Sequence, residues 1–210
     1  MNSHINKIVV IALLAFMSSQ IFAQSQPNGW AISTRLSAIE SDNPNISSIN
    51  SNNELGLDST AASSFSIAYL FDAYSDLKIR AELEIMQHAQ DINSNSSNAV
   101  SFEVDSDLSV RSTMLNTYFE LHNSTVFTPY LGAGIGKSRL DFETSPIDSS
   151  AESALSVQFM AGISYSPAIA NRLDLVLGVR QLIFEDVGFS FGDMEDYQVT
   201  ATDFSIRYKF

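Results

Sequence analysis

A chain of 210 residues with no cysteine has the length of one domain and carries no disulfide scaffold, thiol nucleophile or thiolate metal site. With 45% hydrophobic residues it is too apolar to be disordered throughout. A formal net charge of −13 without a Lys/Arg patch argues against nucleic acid as a partner, since displacing counterions needs clustered cations.

The first element reads as an address. "MNSHINK" carries Lys7 and no acid, residues 8–17 form an unbroken apolar run, and "SSQIFA" ends on the small residue Ala23. That is the n-, h- and c-region order of a secretory signal peptide, with cleavage expected after Ala23. The division is then 1–23 for the signal and 24–210 for the mature protein; an uncleaved anchor is the alternative reading. No later apolar run approaches the ~20 residues of a membrane-spanning helix.

From there the period is two. Residues 30–38 set Trp30, Ile32, Leu36 and Ala38 against Ser33, Arg35 and Ser37. Residues 64–71 set Phe65, Ile67, Tyr69 and Phe71 against Ser64, Ser66, Ala68 and Leu70. In 76–85 the sorting is sharpest: Leu77, Ile79, Ala81, Leu83 and Ile85 alternate with Lys78, Arg80, Glu82 and Glu84. A helix would scatter both sets around its axis, whereas a strand gives each a face. Residues 108–121 are less regular. Their lower half turns Leu115, Phe119 and Leu121 one way and Asn116, Tyr118 and Glu120 the other. Residues 130–136, 154–165, 172–180 and 203–210 complete eight predicted strands, the last sorting Phe204, Ile206, Tyr208 and Phe210 from Asp203, Ser205, Arg207 and Lys209.

The connections, at 41–58, 72–76, 91–106, 122–128, 144–152, 166–171 and 185–196, run long, short, long, short, long, short, long. A meander with short turns at one end and long polar loops at the other is the plan of an outer-membrane barrel. An even number of strands can close on itself, which a sheet in lipid must do. The expected fold is therefore all-β: an eight-stranded antiparallel up-and-down transmembrane β-barrel.

Two stretches carry a family resemblance. "TPYLGAGIGKSRLDF" (128–142) resembles the Pro-Tyr-x-Gly-x-Gly-x-Gly strand of small OmpA/OmpX-type, opacity-like outer-membrane proteins. Lys137 stands where an aromatic girdle residue would be usual. The alternation ending on Phe210 resembles the C-terminal signal of bacterial outer-membrane barrels, with Phe204, Ile206, Tyr208 and Phe210 as the assembly signal. The resemblance implies location in the outer membrane of a Gram-negative cell. It implies contact with membrane lipid and lipopolysaccharide, recognition by the barrel assembly machinery, and host or surface ligands met through the loops. No peptidoglycan-binding domain follows, so a full-length OmpA role is not expected.

The inward faces are expected to carry a lumen charge network of Lys78, Arg80, Glu82, Glu84, Arg111, Glu120, Asp174, Arg180, Asp203 and Arg207, joined by Lys209. An eight-stranded barrel is just wide enough to be filled by side chains, so mixed signs suggest a paired plug. The resemblance also allows a gated proton or small-ion path. For catalysis, His122 and Ser124 share the His-x-Ser spacing of an outer-membrane lipid A deacylase but fall in a predicted periplasmic turn. His88 has Asp91 and Glu84 nearby in sequence and no serine placed by spacing. No base, nucleophile and orienting group assemble, so no catalytic residue, cofactor or metal is assigned. The acids Glu185, Asp186, Asp193, Glu195 and Asp196 read as a solvated loop or a hard-cation site, and Phe189 and Phe191 beside them as an adhesive tip. The expected role is structural or surface-interacting, adhesin-like. A narrow pore and a lipid-modifying enzyme are the alternatives.

Overall fold

Strict alternation gives each strand one apolar and one polar face, and closing the sheet puts the two faces on opposite sides of a wall. The structure, a computed structural model, describes residues 29–41, 45–48, 51–54, 56–57, 59–93, 106–123, 125–144, 148–189, 192–195 and 197–210. Residues 41, 45–48, 51–54, 56–57, 91–93, 106–107, 142–144, 148–150, 187, 189 and 192–195 are described as backbone alone. The signal-peptide expectation for 1–23 lies outside these residues.

Eight long strands make the wall: β1 Gly29–Ser41, β2 Thr60–Tyr74, β3 Leu77–Asn93, β4 Ser106–Leu121, β5 Phe127–Thr144, β6 Asp148–Tyr165, β7 Leu173–Phe184 and β8 Gln198–Lys209. Each pairs antiparallel with its neighbours in sequence, and β1 pairs with β8 from Ala31↔Lys209 to Ser41↔Val199. The sheet is closed. Stepping from partner to partner runs Ala31, Ala68, Glu82, Asn116, Gly134, Gln158, Leu182, Val199 and back onto β1 at Ser41. That stagger tilts the strands by about 40° to the barrel axis.

Tyr74 to Leu77, Leu121 to Phe127 and Tyr165 to Leu173 are the short connections, and all lie at the end that holds Gly29 and Phe210. At the other end, Asn45–Ser48 pairs with both Ser51–Glu54 and Gly192–Glu195, and the latter pairs with Val187–Phe189. This small sheet ties the first long connection to the last. The connection expected to be long at 144–152 is corrected. β5 runs to Thr144 and β6 begins at Asp148, and they pair up to Thr144↔Asp148. The polar run 148–153 extends a strand instead of forming a loop, because its neighbour supplies a ladder for its backbone groups.

The wall has two regimes. Near the short turns, large apolar side chains such as Phe65, Leu83, Leu131, Phe159, Leu177 and Phe204 point out and charges point in. Toward the long connections the order inverts. Ile39, Met86, Leu108, Val110, Leu140, Leu182, Phe184, Tyr197 and Val199 form a buried apolar cluster inside the barrel. Their neighbours Glu40, Gln87, Ser109, Arg111, Arg139, Gln181 and Thr200 face outward and are exposed. The first regime is what a lipid-facing wall requires. The second is what a water-facing one requires.

Candidate functional site

The lumen is the most distinctive chemical feature. Alternation in β3 brings Arg80, Glu82 and Glu84 inside, and the tilt stacks charges from distant strands around them. Near the short turns, Lys209 Nζ donates to Asp174 Oδ1 at 2.5 Å and Arg207 Nε to Asp174 Oδ2 at 2.8 Å. Arg207 also reaches Glu120 Oε1 at 2.5 Å, and Arg80 Nε reaches the same oxygen at 2.7 Å. Arg80 bonds Glu82 and lies 3.5 Å over the ring centroid of Tyr118, whose hydroxyl donates to Glu82 at 3.0 Å.

Glu84 is the hub at mid-height. Its carboxylate takes Arg35, Arg180 at 3.1 Å, the Ser64 hydroxyl at 2.7 Å and the Asn116 amide at 2.9 Å. Arg180 Nε also donates to Asp203 at 2.9 Å, and Ser37 donates to Asp203 at 2.6 Å. Arg35, Arg80, Arg180, Arg207 and Lys209 thus meet Glu82, Glu84, Glu120, Asp174 and Asp203, five cations against five carboxylates. Lys78 pairs with Asp72 at 3.2 Å near the short-turn rim. Buried charges in such number require this balance, because an uncompensated one costs several kcal/mol.

The glycine-rich stretch of β5 serves this network. Gly132, Gly134 and Gly136 occupy inward positions, where a side chain at Gly134 would collide with Asn116 Oδ1. Gly178 and Gly162, opposite each other on β7 and β6, likewise leave the space taken by the Tyr130 hydroxyl.

Of the residues expected in the lumen, Lys78, Arg80, Glu82, Glu84, Glu120, Asp174, Arg180, Asp203, Arg207 and Lys209 are buried there. Arg111 is not, and this is a correction. The β3–β4 ladder runs without a bulge from Leu77↔Leu121 to Asp91↔Asp107. Arg111 therefore keeps the outward parity of Leu115 and Phe119 and is exposed. Arg35 belongs to the network and was not assigned to it from sequence, although its parity with Ser33 and Ser37 was the available signal. Asn116 and Tyr118, on the same face as Glu120 from sequence, and Gln158 are further members, through partners that only the assembled barrel supplies.

His88 makes no hydrogen bond through either ring nitrogen, and Nδ1 of His122 makes none. Glu84 is fully occupied by the network, so it orients no histidine. Ser124, the Asp91 side chain and the side chains of 190–196 lie outside the described residues, as does the Phe189 side chain. Among the described residues no group of His, Asp and Glu is arranged to hold a metal.

A filled, closed, eight-stranded antiparallel barrel with a lipid-type belt is the architecture of a small outer-membrane protein, and residues 9–210 match the outer membrane protein beta-barrel domain. The chain belongs to this family. No curated protein matches the sequence. Among solved structures, neisserial surface protein A is 16% identical, with 87% of this chain and 97% of that one covered at a TM-score of 0.56. Ail of Yersinia pestis, crystallised with the heparin analogue sucrose octasulfate, is 13% identical over 88% and 100%, at 0.51. The outer membrane protease OmpT of Escherichia coli is 7% identical over 90% and 99%, at 0.52. Such identities establish a shared fold. Family membership places the chain in the bacterial outer membrane, where short turns face the periplasm and long connections face outward.

Proposed function

We propose that this protein is an outer-membrane barrel with a closed lumen. Its role is structural and surface-interacting, exercised through the outward connections that the small extra sheet organises. The observation that carries this reading is the filled interior. The salt-bridge network occupies the periplasmic half and an apolar cluster the outer half. The cavity beside Glu120, Asp174 and Arg207 measures only about 10 Å³, room for one water. A narrow pore would need a continuous polar path, and the apolar cluster interrupts it. A protease shares the fold, but the His88 imidazole, without a partner at either nitrogen, and the His122 imidazole, without one at Nδ1, give no support to an acyl-transfer or hydrolytic site.

The neighbour Ail was solved with a heparin analogue, but the outward connections of this chain carry no Lys or Arg, so the contact to test is with the host surface and not with a polyanion. Cells expressing the full chain, and cells expressing a variant with 42–58 replaced by a short Gly-Ser linker, are compared for adhesion to epithelial cells and matrix. Adhesion should fall in the variant at equal amounts of folded barrel. Equal adhesion with steady conductance steps in planar bilayers would replace this reading with the pore. A lipid A mass change on expression would replace it with the enzyme.

A further inference from the structure

Ten basic residues follow Ala23 in this acidic chain, and their placement is uneven. Six point into the lumen and Arg172 lies in a periplasmic turn. The remaining three, Arg111, Lys137 and Arg139, are exposed on the outer wall of β4 and β5, and they are together. Arg111 and Arg139 are direct cross-strand partners, and Lys137 is one step away opposite Thr113. Like charges directly opposite on a sheet repel. Arg139 Nε reaches Asp141 at 2.9 Å, while no polar group among the described residues holds Arg111 or Lys137.

Their height on the wall is what assigns them a ligand. On β2 to β6 the row Phe65, Ile85, Thr113, Lys137, Leu155 is the last that carries large apolar side chains. The next row outward, Ser63, Gln87, Arg111, Arg139, Ser153, is polar. At this step the wall inverts from lipid-facing to water-facing, so the three cations stand at headgroup level of the outer leaflet. Lys137 lies beside the half-exposed Leu155, a position from which its ammonium reaches the interface along an apolar stem. Beside the cluster the outward residues are small. Ala61, Ser63, Ala89 and Ser109 leave a groove of about 320 Å³, with Arg111 and Asp141 in its wall.

We propose that Arg111, Arg139 and Lys137 bind the phosphate of a phosphorylated glycolipid in the outer leaflet, its headgroup lying against the groove. Two opposed guanidinium groups suit the bidentate recognition of phosphate oxygens, and the bound anion relieves their mutual repulsion. The site depends only on the barrel's place in an outer membrane. It stands or falls separately from the loop-mediated role.

The test compares the full chain with the triple variant Arg111→Gln, Lys137→Gln, Arg139→Gln and with Arg172→Gln as control. All are refolded in neutral detergent and checked for heat-modifiable migration. Retention of bisphosphorylated lipid A and of dephosphorylated lipid A is read by native mass spectrometry. Each basic residue near an anionic surface is worth roughly fivefold in affinity, so the triple variant should bind on the order of a hundredfold more weakly. The native chain should hold dephosphorylated lipid A as poorly, and Arg172→Gln should behave as native. Should the triple variant fail to fold, Arg111→Gln and Lys137→Gln singly should each cost about fivefold. Equal retention by native and variant chains overturns the proposal, and so does equal retention of the two lipids. Displacement of lipid A by millimolar inorganic phosphate would show a free-anion site. Displacement by a sulfated polysaccharide would show a polysaccharide site. Either result overturns the assignment to lipid.

Discussion

Glu84 shows what a single residue carries in this fold. It accepts bonds from two arginines, a serine and an asparagine contributed by four other strands. Replacing it by Gln leaves Arg35 and Arg180 short of a buried counter-charge. The expected loss is about 3–5 kcal/mol, read from urea unfolding of the barrel in detergent micelles. Arg111→Gln removes an exposed cation with a like-charged neighbour and should change stability by less than about 0.5 kcal/mol in the same assay. His122 is the titrating residue to examine at the periplasmic turn. Burial pulls its imidazole below the ordinary value, outweighing the pull of Glu120 in the other direction. The unfolded chain therefore takes up the proton first. Stability falls as the pH drops below about 6.5 toward the folded value. His122→Gln should flatten the decline in unfolding temperature over that window, and an unchanged profile would place the sensitivity elsewhere.

Two strands work as elements. β5 trades side chains for space, its inward glycines making room for Asn116, Gln158, Met160 and Tyr118 from its neighbours. Gly134→Ala pushes against the Asn116 amide that holds Glu84, and overpacking of this kind costs about 1–3 kcal/mol. Denaturant midpoints should shift accordingly with the barrel still closed. β8 closes the wall. Phe204, Ile206 and Phe210 face outward and exposed, and the Phe210 N–H donates to the Trp30 carbonyl at 3.0 Å across the seam. One rim aromatic is worth roughly 1.5–3 kcal/mol when fully buried and less at a wet interface, a loss that a closed ladder should survive. Deleting Phe210 should therefore lower the amount of barrel reaching the outer membrane far more than it lowers heat resistance after refolding in vitro. Normal cellular yield with sharply reduced heat resistance would assign Phe210 to packing instead of recognition.

On the scale of the whole molecule, the inversion of the wall sets the barrel's depth in the membrane. The lower wall is greasy outside and charged inside, and the upper wall is the reverse, a small water-soluble core on top of a membrane span. The plugged interior makes a direct prediction. The full chain in planar bilayers should show no steady conductance. Replacing both Glu84 and Arg180 by Ala should still not open a path, because the apolar cluster above them remains. Sustained current through the double variant would mean that the cluster yields to water.

Alternation alone determined a good deal. Because side chains on a strand change face with every residue, the outward set of Leu77, Ile79, Leu83 and Ile85 and the inward set of Lys78, Arg80, Glu82 and Glu84 were readable before any neighbour was known. So were the eight strands and their closure. Local sequence could not determine the partners. Arg180 meets Glu84 across 96 positions, and Arg207 meets Glu120 across 87, because barrel stagger sets which rows coincide. Arg35 joined the network for the same reason. Arg111 left it because an unbroken ladder holds its parity whatever its charge prefers. The apolar cluster of the outer lumen also depended on the tertiary structure. A residue such as Leu182 or Val199 is apolar in either setting, and whether it faces lipid or a core is decided by which side of the wall closure puts it on.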